Sequence, residues 1–174
     1  AGRVTRPDYV RLLASLHTIY VALEAALADP RIHALVRVPL LYRAQAIARD
    51  LADLGTAPGA IPPAEVAVQY AAHLAHLAET DPLLIAAHAY VRYLGDLSGG
   101  QILHSIVAQA LALPPGRGVA FYELGDKAAV ALAKADLRAA LDALPAARHD
   151  DIVAEARASF TRHIELFAAI AHED

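Results

Sequence analysis

A charged pair and a set of glycines share one short segment, residues 90–103, of an otherwise alanine-rich and leucine-rich chain. Arg92 precedes Asp96 by four residues, so the two side chains can pair on one face of a helix. Gly95 and Gly99 are also four residues apart and therefore share a face. Where side chains are missing, another molecule can approach the backbone closely. These residue types predict a polar network beside a surface that could accept a flat ligand.

The same glycines have a second interpretation, because small residues also allow two helices to pack tightly. Residues 81–93 and 101–113 both show helical apolar spacing, so the segment predicts one long helix that contains Gly95, Gly99 and Gly100. Each glycine destabilises a helix by about 1 kcal/mol relative to alanine. The three glycines therefore indicate a close approach, by a ligand or by a neighbouring helix, and a helix that can bend there.

The rest of the chain predicts further helices around this one. Thr5 is a plausible N-cap, and Asp8 is placed to hydrogen-bond back to it as in a capping box. Asp126 is a plausible N-cap of a later helix. Residues 119–124 are interpreted as a connector, and neither an internal repeat nor a linker occurs. The sequence predicts an all-α, single-domain helical bundle over residues 1–174. The predicted helices cover residues 5–28, 39–54, 64–79, 81–113, 126–144 and 147–171.

Composition excludes several function classes. The 174 residues include no cysteine, which excludes disulfides and cysteine-held metal clusters. A formal net charge of -4 argues against a nucleic-acid partner. The uncharged stretch 97–116 contains too many polar residues, glycines and prolines for a membrane span. With no signal peptide recognisable, we expect a cytoplasmic protein without a membrane span, and a monomer.

Several segments together carry a resemblance to a known family. Residues 90–101 resemble the distal helix of the heme oxygenases of the biliverdin-producing type nearly residue for residue, and residues 4–6, 19–24, 87–90 and 160–167 match other segments of that family. The resemblance implies cleavage of heme to biliverdin, carbon monoxide and ferrous iron, with dioxygen and electrons as further reactants. Heme is then both substrate and cofactor. A reductase or a ferredoxin is implied as electron donor.

The resemblance also implies roles for individual residues. Asp96 matches a carboxylate that orders water molecules and delivers a proton, while Arg92 and Tyr20 match positions in the same network. Gly95 and Gly99 match positions where backbone lies close to the gas ligand. The remaining positions that match heme contacts are Tyr90, Leu94, Ser98, Gly100, Lys134, Arg138, Phe160, His163 and Phe167.

Some of these matches have ordinary structural alternatives. Lys134 and Arg138 resemble a pair that binds the heme propionates, but the same spacing is typical of a solvated helix face. Phe160 and Phe167 resemble pocket aromatics, although most such side chains pack in a core. His163 stands where the family often has an asparagine.

The family's axial histidine lies on a helix before the segment that matches residues 4–6, so no metal ligand is expected among residues 1–174. His17 is not favoured as a substitute. A stripe of His73, His76 and Glu79 could bind zinc weakly, but a solvated polar stripe is favoured. The alternative to an enzyme is a heme-binding or structural homologue without turnover, and a third interpretation is a helical interaction module.

Overall fold

The fold is an all-α bundle, as the sequence predicts. The computed structural model describes residues 4–32 and 41–171, without the side chain of Gln101. No strand occurs in those residues. Their helices are α1 Arg6–Leu27, α2 Ala44–Asp53, α3 Glu65–Thr80, α4 Ile85–Ala110, α5 Lys127–Asp142 and α6 His149–Ala171. Three-residue 3-10 turns occur at Pro82–Leu84, Ala120–Tyr122 and Ala146–Arg148.

Two predicted helix starts are confirmed. At the start of α1 the Thr5 hydroxyl accepts a hydrogen bond from the Asp8 amide, and the Asp8 carboxylate accepts one from the Thr5 amide. At the start of α5 the Asp126 carboxylate accepts a hydrogen bond from the Ala129 amide at 2.8 Å. Both caps satisfy amides that the first helical turn leaves without a partner.

The glycine-containing helix α4 runs without a break from Ile85 to Ala110. It begins later than the predicted residue 81, and no side chain caps it. The Asp81 carboxylate, just before this start, accepts a hydrogen bond from the Arg148 guanidinium. A 3-10 turn takes the place of the first predicted turn of α-helix.

The core of the described residues is one hydrophobic cluster to which all six helices contribute. Fully buried members include Leu23 of α1, Ile47 of α2, Leu74 of α3, Leu137 of α5 and Leu166 of α6. Helix α4 adds Ile85, Ala86 and Ala89 to this core. Helix α1 packs against α2, α3, α4 and α6, which places its Tyr20 near the glycine segment of α4.

Helix α1 is also long and apolar enough, by length and composition, to cross a membrane. Half of its most apolar 18-residue window is buried inside this fold. Packing in the core therefore accounts for much of its hydropathy.

Helix α2 starts later than expected, and the connector at residues 119–124 contains a short turn. Helix α2 begins at Ala44 rather than at residue 39, and residues 33–40 lie outside the described part of the chain. The connector is a 3-10 turn, Ala120–Tyr122, held by Asp50. The two oxygens of this buried carboxylate each accept a hydrogen bond, from the amides of Ala120 and Phe121, at 2.7 Å. Asp50 thereby fixes a turn that packs against α4.

Candidate functional site

A cleft of about 750 Å³ lies between α1, α4, α6 and the turn Ala120–Tyr122. This volume is within the range of sites that hold cofactors and other small molecules. Most of its wall is apolar, and polar groups are few. The lining includes Leu12 and Leu16 of α1, Val91, Gly95 and Asp96 of α4, Phe121 and Tyr122 of the turn, and Phe160, His163 and Phe167 of α6.

The glycine face of α4 borders open space. A β-carbon placed on Gly95 would have no atom of the described residues within 4 Å. At Gly99 the nearest such atom is Leu103 Cδ1, at 3.8 Å, from the same helix. No neighbouring helix among the described residues packs against these two positions, so the helix-contact interpretation fails for them.

Gly100 differs from the other two glycines. A β-carbon there would lie 3.3 Å from the carbonyl oxygen of Tyr122. Gly100 lines the cleft, but its missing side chain also allows the Ala120–Tyr122 turn to approach α4. The missing side chain at Gly100 therefore suits this packing as well as leaving room for a ligand.

Tyr20, Arg92 and Asp96 form one hydrogen-bonded network at the cleft wall. Arg92 donates from Nε and Nη2 to the Tyr20 hydroxyl at 3.1 and 2.9 Å, and the Tyr20 hydroxyl donates to Asp96 Oδ2. Arg92 Nη2 also lies 3.6 Å from Asp96 Oδ1. Tyr20 is fully buried and Arg92 is 6% exposed. The structure thus brings together the three residues that the family resemblance grouped.

The surroundings of this network shift the Asp96 carboxyl toward its protonated form. Burial raises the pKa of Asp96, and the Arg92 charge and the Tyr20 hydrogen bond offset this effect only in part. Burial also raises the pKa of Tyr20. Burial acts to lower the pKa of Arg92, but the neighbouring Tyr20 and Asp96 outweigh it and raise that pKa. Asp96 is therefore a carboxyl that can hold and release a proton beside the cleft.

His163 supplies a second polar group to the cleft. Its Nδ1 lies 3.4 Å from the Ser159 carbonyl oxygen, and its buried Nε2 has no hydrogen-bond partner among the described residues. Burial, reinforced by the Arg92 charge, lowers the pKa of His163 to about 3, so the ring is neutral at neutral pH. An unpartnered buried nitrogen that lines a cleft is what a bound polar group or water would satisfy.

These features fit a planar, largely apolar ring such as heme. The bare backbone at Gly95 gives room for close approach, the apolar walls match the ring, and Asp96 and His163 offer polar contacts. Phe160 and Phe167 line the cleft and are each 53% exposed, so neither is a core residue.

Other predicted site residues lie elsewhere. Ser98 and Lys134 line a smaller cleft of about 370 Å³ between α4 and α5. Tyr90, Leu94, Gly99 and Arg138 line neither of these two clefts, and His17 lines neither. Lys134 is partly buried and Arg138 is exposed, and neither lines the larger cleft.

Sequence reasoning missed the aromatic wall formed by Phe121 and Tyr122. Residues 119–124 showed only a short connector. The two rings pack edge to face, with centroids 4.9 Å apart, and Phe121 also packs on Tyr20 at 5.7 Å. The hydrogen bonds that Asp50 accepts from this turn position it, and no local sequence signal links Asp50 to a turn 70 residues later.

A second polar group was also missed. His73, His88 and Glu155, here called the outer histidine cluster, come from α3, α4 and α6. Of the stripe His73, His76 and Glu79, the favoured solvated interpretation holds for His76 and Glu79, which are exposed, whereas His73 is partly buried and contacts Glu155. Each three-residue step falls about 60° short of a full helical turn, so the three positions fan around the helix.

Comparison with known proteins gives a consistent result. The family model for heme oxygenase matches residues 1–169. Heme oxygenase 1 of Homo sapiens is 39% identical over 176 residues, covering 95% of this chain and 61% of the human protein. Heme oxygenase 1 of a Nostoc species is 36% identical, covering 95% of this chain and 73% of that protein. The chain therefore spans about three fifths of the length of the human protein.

Solved structures agree with the sequence matches. Heme oxygenase-2 from a Synechocystis species, in complex with heme and NO, superposes with a TM-score of 0.90 at 37% identity, covering 97% of this chain and 73% of that chain. Heme oxygenase from Leptospira interrogans superposes with a TM-score of 0.85 at 36% identity, covering 94% of this chain and 83% of that chain.

Proposed function

The chain belongs to the heme oxygenase family, and we propose that it binds heme in the 750 Å³ cleft and cleaves it to biliverdin, carbon monoxide and ferrous iron. Dioxygen and electrons are the other reactants. The observation that carries this proposal is the open backbone face at Gly95, directly beside the buried Asp96 network. A relative that shares the fold is described in complex with heme and NO, a diatomic ligand.

Heme supplies the iron that binds dioxygen and the ring that is opened. The chain supplies the surroundings. Gly95 gives the ligand side of the ring room, since any larger side chain there would project into the cleft. The rings of Phe121, Phe160 and Phe167 and the α1 leucines exclude bulk water, which strengthens each electrostatic interaction inside the cleft.

Asp96 holds the proton that the reaction consumes. Its raised pKa keeps a proton on the carboxyl more readily than on an exposed aspartate, and an ordered water can carry that proton to the ligand side. Arg92 stabilises the carboxylate that remains after the proton leaves. Tyr20 holds both side chains in place, since its hydroxyl bonds to each of them.

The partners are part of the same proposal. In this proposal Lys134 and Arg138, with Tyr90, contact the heme propionates on the α5 side of α4. The chain has no nicotinamide or flavin motif, so electrons come from a reductase or ferredoxin, for which these cations offer a docking face. We expect a cytoplasmic monomer.

The alternative, a homologue that binds heme without turnover, is not favoured. Curated relatives 33–43% identical to this chain are named heme oxygenases, and the Tyr20, Arg92 and Asp96 network is complete. The interaction-module interpretation required a helix packed on Gly95, and none of the described helices lies there.

The proton-delivery role is tested by Asp96→Asn, which keeps the side-chain shape but removes the acid. Hemin affinity is expected to change by less than about threefold, because Asp96 is a small part of the cleft wall. Biliverdin formation is expected to fall by about 10²- to 10⁴-fold, the usual contribution of a positioned acid. Single-turnover spectroscopy with a chemical reductant measures both quantities.

Glu79→Gln is the matched control, since Glu79 is an exposed carboxylate on α3. It should leave both quantities unchanged. Biliverdin formation at the wild-type rate in Asp96→Asn would show that the proton comes from another group.

A further inference from the structure

We propose that the outer histidine cluster, His73, His88 and Glu155, binds one first-row divalent metal ion of the Zn²⁺ or Fe²⁺ class. The cluster is separate from the heme cleft, since none of its three residues lines that cleft. The proposal therefore does not depend on the proposed function, and heme-free protein can test it.

The three donor atoms already converge. Glu155 Oε1 lies 2.7 Å from His73 Nε2 and 3.0 Å from His88 Nε2, and one ligand atom from each residue lies within 4.8 Å of the others. Ligands about 2.0–2.1 Å from a metal ion at right angles to one another are separated by about 3 Å. The ion therefore requires only small side-chain movements.

His88 is oriented as a metal-binding histidine usually is. Its Nδ1 lies 2.8 Å from the Tyr70 hydroxyl, and that hydroxyl lies 2.7 Å from Ser159 Oγ. All three residues are fully buried. A hydrogen bond at the second ring nitrogen fixes the ring and leaves the other nitrogen for the metal. Tyr70 thus holds His88 Nε2 in position facing Glu155.

The cluster is open on one side. The His88 side chain is fully buried, but those of His73 and Glu155 are 24% and 15% exposed, so an ion can enter from solvent. Two imidazoles and one carboxylate are the donor set of open zinc sites and of facial iron(II) sites. Such a site keeps positions for water, which the solvent side can supply.

One nearby charge opposes the ion. The Arg162 guanidinium carbon lies 5.9 Å from the centre of the Tyr70 ring. Its positive charge repels a divalent cation, while Glu155 is the one carboxylate among the three donors. Without a metal the two imidazoles simply hydrogen-bond to Glu155, and the experiment must separate these two states.

Zinc titration of the heme-free chain by calorimetry, with Co²⁺ absorption as a second readout, tests the site. The expected result is one ion per chain and cobalt d–d bands in the visible range. His73→Ala should weaken binding by more than 100-fold. Tyr70→Phe, which only removes the positioning hydroxyl, should weaken it by about 10- to 100-fold. Anaerobic Fe²⁺ titration then decides which ion of the class binds more tightly.

Two controls keep the test specific. His76→Ala removes an exposed histidine of α3, and His104→Ala removes a histidine of α4 that contacts Glu123; both should leave zinc affinity unchanged. Circular dichroism confirms that each variant is folded. The proposal is overturned if no stoichiometric zinc binding occurs, if His73→Ala binds as tightly as wild type, or if His104→Ala removes the binding.

Discussion

Two carboxylates, Asp96 of α4 and Glu155 of α6, have pKa values shifted in opposite directions. Asp96 borders the apolar cleft, where burial raises its pKa despite the Arg92 charge and the Tyr20 hydroxyl. Glu155 faces His88, and hydrogen bonds from His88 and then His73 lower its pKa to about 2 against the effect of burial. The first group is suited to carry a proton and the second to stay ionised.

The difference shows how one helix serves two sites. The glycine-containing part of α4 leaves space for a ligand. Beside it, Arg92 and Asp96 both hydrogen-bond to the Tyr20 hydroxyl within the cleft wall. The His88 part of the same helix is filled by Tyr70, Ser159 and Glu155. Burial without enough partners produces a group that can transfer a proton, whereas two imidazole partners produce a fixed charge.

The largest effect on stability is expected from Arg92→Leu. This change leaves Asp96 buried without its cation, and breaking a buried ion pair typically costs about 3–5 kcal/mol of unfolding free energy. Loss of the Arg92 charge further raises the pKa of Asp96 in the folded state. A raised carboxyl pKa favours folding at acid pH and loses that contribution as pH rises. The cost should therefore be larger at pH 8 than at pH 5.

Urea unfolding at the two pH values measures this difference. Arg138→Leu, at an exposed position of α5, is the control and should change stability by less than about 0.5 kcal/mol at both pH values. Equal losses at pH 8 and pH 5 for Arg92→Leu would show that Asp96 takes up no proton.

A smaller effect concerns His163 of the large cleft and Glu155 of the outer histidine cluster, whose contributions to stability change in different pH ranges. The pKa of His163 is about 3 in the folded state, below its ordinary value, so the unfolded chain binds the extra proton between pH 6.5 and 3. Stability is therefore lost as pH falls from 6.5. His163→Asn should flatten this dependence between pH 6.5 and 5, above the range in which Glu155 titrates.

Glu155 acts in a lower window. Its lowered pKa stabilises the fold above about pH 4.5, and this contribution is lost as pH falls toward 2. Glu155→Gln should cost about 1 kcal/mol at pH 7, because hydrogen bonds to a charged acceptor are lost at a partly solvated position.

For His163→Asn, a pH profile of urea midpoints identical to that of the wild type would contradict the assignment of His163 as a buried neutral ring.

The smallest effect compares two glycines of α4. Gly95→Ala should stabilise the chain by about 0.5–1 kcal/mol, since alanine favours the helix and its β-carbon meets open space. Gly100→Ala should gain less or lose stability, because its β-carbon lies 3.3 Å from the Tyr122 carbonyl oxygen. Thermal unfolding of both variants measures this. Equal gains in stability for the two variants would mean that the Ala120–Tyr122 turn moves aside at little cost in free energy.

Local interactions were predictable from sequence and long-range ones were not. The Thr5 cap with Asp8 and the pairing of Arg92 with Asp96 each lie within one helical turn, so spacing alone indicates them. The Tyr20 contact to Asp96 spans 76 residues and came only from family resemblance. No local sequence signal indicated the hydrogen bond between Arg148 and Asp81, which are 67 residues apart.

The outer histidine cluster shows the same limit more sharply. His73, His88 and Glu155 lie on three different helices, and 82 residues separate His73 from Glu155. Helical spacing instead pointed to His76, which shares a helix with His73 but turns to solvent. The packing angles of α3, α4 and α6 decide which polar groups meet, and those angles depend on the whole core.

Hemin titration of the chain and of Gly95→Leu tests the central claim most directly. The wild-type chain is expected to form a one-to-one complex with a shifted Soret band. Leucine at position 95 would occupy the open space beside Asp96, so hemin affinity should fall by at least 100-fold. Ala75→Leu, at an exposed position of α3, should bind as wild type does. Unchanged hemin affinity in Gly95→Leu would contradict the placement of heme on the glycine face of α4.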